Sequence, residues 1–435
     1  MRSSMMQFVK RLFSIEDGEA GAVCSGTLVF LFLFTGYFML RPVRETMGIA
    51  GGVDKLQWLF TATFVCTLIA LPLFGWLAAR VERRHILPWL YAFFAANLLG
   101  FAAGFHFAPG NVWFARTFYV WLSVFNLIAI SVAWSVVVDV FTTAQAKRLF
   151  AVMAGGASFG GLLGPILGTV LVGSVGHAGL LTLSAALLLG AIVAAHWLRA
   201  WRDRHPIDDN RGATSRRALG GNPFAGATAV FRSPYLIGIA TFVLLLTSVS
   251  TFLYFQQARL VAAHFPDRID QTRVFGLLDT TVQTLAVLTQ LFLTGRIAQR
   301  LGVGVLLVAV PLLIAAGFLW LAFNPAFAAF AIVMVLRRAG EYAFVRPGRE
   351  MLFTVVGAED KYKAKNFIDT LVYRGADALS AWVKTAITLI AAQPAVACVV
   401  GAVLSLVWAG NGILLASSQG ARAARLDSAM ASRRT

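Results

Sequence analysis

Residues 335–350, VLRRAGEYAFVRPGRE, place four arginines and two glutamates directly behind the apolar run NPAFAAFAIVM. Guanidinium groups are planar forks that grip phosphate or carboxylate through paired hydrogen bonds. Counted from Pro325 at 1.5 Å per helical residue, Arg337 and Arg338 sit roughly 18 Å along a helix, close to the middle of a bilayer core. An unsolvated charge at that depth costs at least about 3 kcal/mol. Glu341 follows Arg337 by four residues and Arg338 by three, so on a helix it can reach either. One carboxylate cannot neutralise two guanidiniums. Two readings stay open: an internal ion pair that braces the fold, or a wet site that faces an anion. Arg346, Arg349 and Glu350 fall nearer the cytoplasmic end, as gate residues or interfacial anchors.

Other apolar runs carry matching groups. The run that begins near Asn366 holds Asp369, Tyr373, Arg374, Asp377 and Lys384. Lys365 and Asp369 are one turn apart, as are Arg374 and Asp377. Lys384 lies deeper toward the outside and can snorkel. Arg41 and Arg44 flank Pro42, a kink position. RPVRE at 41–45 and RPGRE at 346–350 are written almost alike, and nothing in the sequence explains the likeness. Asp279, Gln283 and Gln290 stand in one apolar run, and a buried carboxylate there is either a proton carrier or a partner for a cation such as Arg259. Asp139 ends another run, as a gate or cap.

The expected solute-binding groups are therefore Arg41, Arg44, Arg259, Arg337, Arg338, Glu341, Tyr373, Arg374 and Asp377. The expected coupling or gating groups are Asp279, Asp369, Asp139, Arg80, Arg300 and Arg346. Because arginine predominates among the intramembrane cations, the solute is expected to be an anion, with phosphorylated metabolites as the leading class. The six histidines are scattered at loops and run ends and suggest no metal site. No phosphate loop, HExxH, paired CxxC or nucleophile elbow is present, so no enzyme and no cofactor is expected.

Groups placed this way need a scaffold that crosses the membrane repeatedly. Of 435 residues, 58% are hydrophobic and only 13% charged. A soluble protein of this size needs more polar surface. A β-barrel would alternate, whereas these runs are continuous. Twelve spans are expected, near 22–40, 57–79, 86–107, 113–138, 148–173, 178–199, 235–257, 274–294, 303–323, 326–348, 366–391 and 395–416. The loops near 104–112, 174–178, 322–326 and 391–394 lack Lys and Arg, while 80–85, 139–148, 199–233 and the tail are basic. The net charge of +17 thus follows membrane topology and does not point to nucleic acid. Both termini and the 199–233 loop are expected in the cytoplasm, in a cell (inner) membrane.

Cys24, Cys66 and Cys398 each sit inside an apolar run and form no framework. Met5, Met6, Phe8, Val9, Leu12 and Phe13 beside Lys10 and Arg11 read as a short surface-lying helix rather than a signal peptide. The domain plan is 1–200 for a first six-helix half, 201–233 for a linker, 234–420 for a second half and 421–435 for a basic tail.

The halves repeat. GWLAARVERR (75–84) follows the second span and GRIAQRLGVG (295–304) follows the eighth. Each has Gly, then Ala three residues on, then Arg two further. GYFMLRPVRE (36–45) and TFLYFQQARL (251–260) align more loosely, setting Arg44 against Arg259. Duplication of a six-span unit is expected.

GWLAARVERR resembles the signature between the second and third helices of the major facilitator superfamily, Gly-x-x-x-Asp-Arg-x-Gly-Arg-Arg, with Ala79 at the Asp position and Glu82 at the second Gly. Gly164-Pro165 in GGASFGGLLGPILG resembles that superfamily's antiporter motif, although the i+4 glycines also suit plain helix packing. REMLFTVVGAEDKYKAKNFIDTLVYRGAD (349–377) and LRPVRET (40–46) resemble the nucleotide (ATP/ADP) translocase-like branch, in which a Lys-Asp pair is usual where Arg44-Glu45 stands here.

The resemblance implies an all-α polytopic protein of twelve transmembrane helices in two pseudo-symmetric six-helix halves. It implies a secondary transporter working by alternating access, with nucleotide exchange as the named candidate. A proton-coupled importer or exporter of another organic anion, with Asp279 and Asp369 as carriers, is the alternative. A non-transporting receptor or lipid-handling protein on the same fold is a third. The expected partners are a small anionic solute, the lipid bilayer and, in the coupled case, protons; a monomer is expected.

Overall fold

A computed structural model of the chain describes residues 15–16, 18–205, 226–391 and 393–432. The surface-lying helix expected at Met5–Phe13 and the linker arginines Arg211, Arg216 and Arg217 fall outside them. The described residues form helices and no strands.

The first four helices are α1 (Ala20–Ala50), α2 (Leu56–Arg80), α3 (Arg83–Phe107) and α4 (Val112–Val140). A continuous helix, Thr143–Arg204, then bends at Gly176, whose φ of 65° is the left-handed conformation that glycine tolerates. Its arms are α5 (143–175) and α6 (177–204). After a short helix, Ala227–Arg232, comes α7 (Pro234–His264). Next is α8, which begins as Arg268–Thr289, passes through a π turn at Gln290–Thr294 and bends at Gly302 (φ 76°) into α9 (303–323). α10 is Phe327–Gly340, a π turn at Glu341–Val345, and Arg346–Leu352. α11 is Ala358–Phe367, a π turn at Ile368–Val372, and Tyr373–Ile390. α12 is Pro394–Ser432.

Eight of these helical stretches are long and apolar enough to cross a membrane by composition alone. Two of the eight, Thr143–Arg204 and Arg268–Phe323, each make two passes because of their glycine bends. The remaining two passes, α10 and α11, carry too many charges to count as apolar, and they hold the charged groups singled out above. The sum is the expected twelve.

Three boundaries differ from expectation. α1 runs to Ala50, not to 40, because Arg41, Arg44 and Thr46 find polar partners inside the protein and need not end the helix. α6 extends to Arg204, and Ala227–Arg232 is helical, so both ends of the expected 201–233 linker are helical. The tail expected from 421 is a continuation of α12 to Ser432, since GARAARLDSAMA is rich in alanine and arginine, both strong helix formers.

The chain resolves into two compact units. The first gathers the chain up to Gly52, the stretch from Ile69 through α6, and Phe265–Thr280. The second gathers Val53–Leu68, α7 with its preceding short helix, and everything from Thr281 onward. α2 and α8 are thus each divided between units. In the first unit, α5 lies on α1 through Gly156, Gly160, Gly164 and Gly168. A Cβ added to these would come within 2.4 Å of the Thr27 carbonyl, 2.7 Å of Leu31, 2.6 Å of Thr35 and 3.0 Å of Met39. The glycine stripe is therefore a packing face that lets two backbones touch. The second unit has its own core, with Phe242, Phe252, Phe318, Phe330, Phe353 and Trp408 at its centre.

Candidate functional site

In the second unit, α10 presents Arg337 and Arg338 as buried residues of an apolar helix. Arg337 Nη1 donates to Ser250 Oγ of α7 at 2.6 Å and to Glu341 Oε2 at 3.0 Å. Its Nε, also buried, has no hydrogen-bond acceptor among the described residues. Glu341 is buried as well, and its other oxygen faces Arg346 at 3.4 Å. Arg346 is half exposed and stacks over the Tyr342 ring at 4.3 Å. Two arginines therefore share one glutamate, and Arg338, the residue after Arg337, is buried as well.

α11 contributes Arg374 and Asp377, 3.9 Å apart, as their one-turn spacing led us to expect. Thr251 Oγ1 of α7 donates to Asp377 at 3.3 Å, and one turn earlier Ser248 meets Ser380 at 2.8 Å. Tyr373 is half-buried against the same core. Asp369 does not take Lys365 as its partner. Arg349 lies 3.1 Å from Asp369, and Lys365 reaches Glu350 at 2.6 Å, so both pairs cross between α10 and α11. Lys384 does not snorkel; it is buried, donates to Thr388 at 3.0 Å and sits 5.9 Å from the Phe252 ring. Arg259 is exposed near the end of α7, 3.8 Å from Asp54.

The first unit holds a separate set. Arg41 Nε is 3.7 Å from Asp279, which is buried. Arg44 Nη2 donates to Glu45 at 2.7 Å and Nη1 to Ser123 at 3.1 Å, and its guanidinium lies 4.8 Å from the Tyr119 ring centre. Thr46, Thr272 and His177 form a hydroxyl–hydroxyl–imidazole chain with contacts of 2.8 and 2.9 Å. Asp139 accepts from Arg83 at 2.9 Å, tying the end of α4 to the start of α3. Arg80 is exposed and stacks on Trp76 at 4.0 Å. In the second unit Arg300 is exposed just before the Gly302 bend.

Sequence reasoning missed Ser250, Ser123 and Tyr119 as partners of the arginines and Thr251 as a donor to Asp377. The hydroxyl run LTSVST in α7 (246–251) is a pattern that could have pointed to Ser250 and Thr251. Chemically, the second-unit cluster offers an anion two buried guanidinium forks, Arg337 and Arg338, with the Ser250 hydroxyl against Arg337. Among the described residues no group of three or more His, Cys, Asp or Glu could hold a metal ion.

No curated protein matches this sequence. Solved structures do match the fold. A bacterial homologue of the human lysosomal transporter Spinster, inward-facing and unoccupied, is 14% identical with a TM-score of 0.60, over 94% of this chain and 98% of that one. A bacterial homologue of the iron transporter ferroportin, in an inward-facing state, is 15% identical with a TM-score of 0.62, over 90% and 98%. At such identities the likeness speaks for the fold alone. The family model of the Major Facilitator Superfamily matches residues 23–340, most of the chain. Twelve passes and that match together mean that the chain belongs to the major facilitator superfamily, and that it is a multi-pass membrane transporter and not an enzyme.

Proposed function

We propose that this transporter moves an anionic organic solute by alternating access, and that Arg337, Arg338 and Arg374 face the anion. The observation that carries the reading is the charge count around Glu341. Arg337 and Arg346 share that one buried carboxylate and Arg338 is buried beside Arg337 in the same helix, while Arg374–Asp377, Arg349–Asp369 and Lys365–Glu350 are one-to-one pairs. Buried excess positive charge is costly unless a counter-ion arrives. A solute phosphate or carboxylate supplies one. The resemblance of 349–377 to nucleotide translocases makes nucleotides the first candidates within that class. The halves at 1–200 and 234–420, joined by the 201–233 linker, would rock in alternating access, with both termini in the cytoplasm, in an inner membrane and as a monomer.

A second reading has one observation in its favour. Asp279 is buried beside Arg41, so a proton on Asp279 would release that arginine, as coupling requires. Asp369, by its contact with Arg349, is the second candidate carrier.

The test is a thermal-shift screen of purified protein against nucleotides, sugar phosphates and carboxylates, followed by uptake of the labelled hit into proteoliposomes. Stabilisation by anions, and uptake that Arg337→Ala abolishes, is the expected result. Stabilisation by neutral or cationic solutes alone would remove the anion from the proposal.

A further inference from the structure

Among the described residues the buried cations are Arg337, Arg338 and Lys384. The two arginines belong to the helix that carries Glu341. Lys384 lies elsewhere, in the outer half of α11. Its Nζ donates to Thr388 Oγ1 at 3.0 Å, and that hydroxyl uses its own hydrogen on the Lys384 carbonyl at 2.9 Å. The Phe252 ring of α7 lies 5.9 Å from the ammonium. The ionisable groups that act on it from other helices are Arg259 of α7, a second cation, and the Cys398 thiol of α12, which faces Gln256 Oε1 at 3.9 Å. All of these residues belong to the second unit. Among the described residues no carboxylate forms an ion pair with Lys384. The Thr388 hydroxyl and the Cys398 thiol both aim their hydrogens at protein acceptors, so neither serves an anion at this place.

A buried ammonium without a counter-charge is costly. Arginine cannot relieve that cost, because it keeps its proton; a lysine can give its proton up when buried. Lys384 is therefore the buried cation that can exist in two charge states. It also stands within electrostatic reach of the arginines proposed to face the anion. Tyr373–Ile390 is regular α-helix, so Lys384 lies about 10 Å beyond Asp377 and about 15 Å beyond Arg374. One stretch of α7 meets them all: Ser248 bonds Ser380, Ser250 bonds Arg337, Thr251 bonds Asp377, and Phe252 covers Lys384. At an effective dielectric constant of about 20, a unit charge roughly 10–15 Å away changes a group's proton affinity roughly tenfold.

We infer that Lys384 carries a coupling proton: it is protonated while the anion is bound to the second unit and neutral while the anion is absent. The inference rests on the anion reading. As the anion binds, the amine takes one proton from water, –NH2 becoming –NH3+, and no bond to the solute forms. As the anion leaves, that proton returns to water. Linkage is reciprocal, so the protonated amine tightens the anion by the same roughly tenfold factor.

The test measures the Kd of ADP, glucose 6-phosphate and citrate for the full-length protein in nanodiscs from pH 7.5 to pH 10, where none of the three probes titrates. For wild type, the Kd of the probe that binds best should rise about fivefold or more across that range. Lys384→Arg, whose charge is fixed, should bind as wild type does at pH 7.5 and keep that Kd at pH 10. Lys384→Met should bind roughly tenfold more weakly at pH 7.5 and lose nothing further. Cys398→Ala, which removes the neighbouring thiol, should keep the wild-type profile. A flat wild-type profile, one equally steep in Lys384→Arg, or one flattened by Cys398→Ala overturns the inference and leaves the anion reading standing. Binding of none of the probes at any pH overturns the anion reading, and the inference falls with it. Should the Lys384 variants fail to fold, calorimetry of wild type near pH 8.5 in two buffers of different ionisation enthalpy decides. Proton uptake on binding is expected, and its absence overturns the inference.

Discussion

Arg41 Nε stands 3.7 Å from Asp279 Oδ2, joining α1 to the first part of α8 within one compact unit. The carboxylate is buried, and the guanidinium retains one-fifth of its exposure. Asp279→Asn keeps the shape and removes the titration. If Asp279 carries a proton, solute accumulation driven by a pH gradient is lost, while exchange of labelled for unlabelled solute persists. Arg41 also loses a counter-charge, so stability should fall by about 1–3 kcal/mol. Adding Arg41→Gln should recover part of that loss. Uptake with and without a pH gradient in proteoliposomes checks the first part, and melting of the purified variants checks the second. An unchanged pH dependence in Asp279→Asn would take Asp279 out of the coupling mechanism.

The glycine stripe gives a prediction with an internal control. A Cβ at Gly164 would lie 2.6 Å from the Thr35 carbonyl and 2.8 Å from the Met39 amide nitrogen, both backbone atoms that cannot swing aside. Gly164→Ala should therefore force α1 and α5 apart and cost about 1–3 kcal/mol or more. Gly155 lies on the same helix with nothing within 4 Å of an added Cβ. Gly155→Ala should be neutral or gain up to about 1 kcal/mol from helix propensity. Melting temperatures of the two variants compare them directly, and equal effects would contradict the packing role of the stripe.

Much of this fold is legible in the sequence because the bilayer imposes it. Apolar runs of sufficient length, and loops that alternate in charge, carry the twelve passes and the six-plus-six repeat. The short uncharged loop at 174–178 places the bend at Gly176, although the helix does not break there. The candidate site is legible only in part. Spacing along one helix anticipates Arg337–Glu341 and Arg374–Asp377, because i,i+3 and i,i+4 geometry is local. It misassigns Lys365, whose partner Glu350 lies on another helix. It groups Arg259 with the buried cations, although that residue is exposed beside Asp54. The π turns are not anticipated, although Pro347, which has no N–H to offer the Ala343 carbonyl, is a local trace of the one at Glu341–Val345. Lys384 reads as a snorkelling side chain because the sequence cannot show that Thr388 and Phe252 enclose it.

The start of α1 supplies a pH prediction. Burial pushes the Glu19 carboxyl up, but the Glu16 amide, Gln145 and Arg148 more than reverse this and hold it below its ordinary value of 4.5. A carboxylate with a depressed folded pKa contributes stability that is fully present above its unfolded pKa and lost as pH falls through the folded one. The loss should therefore begin below about pH 4.5. Melting temperature followed from pH 7 to pH 3 should show a decline that Glu19→Gln flattens at its acid end, at the expense of lower stability at pH 7. Arg148→Gln should flatten it too, since Arg148 Nη2 lies 3.0 Å from Glu19. Identical acid slopes in wild type and Glu19→Gln would show that another group governs that range.

The anion proposal meets its sharpest test at Arg338 and Glu341. Arg338 is buried next to Arg337, and Glu341 is shared by Arg337 and Arg346. If Arg338 holds the solute anion, Arg338→Ala should weaken binding by about 1.5–3 kcal/mol, the value of a charge-assisted hydrogen bond. That is roughly a ten- to hundredfold rise in Kd. Arg338→Lys should also weaken it, because a point charge cannot replace a planar fork. If the arginines only brace Glu341, the pattern differs. Arg338→Ala then lowers stability by leaving the carboxylate under-compensated, and Glu341→Gln restores it by removing the charge. The deciding quantity is the Kd of the Arg338→Ala/Glu341→Gln protein for whichever nucleotide, sugar phosphate or carboxylate stabilises the wild type most. A raised Kd in a protein that melts normally places the anion on Arg338. A wild-type Kd in that protein makes the pair a brace, and moves the search for the anion to Arg374 in the second unit and to Arg41 and Arg44 in the first.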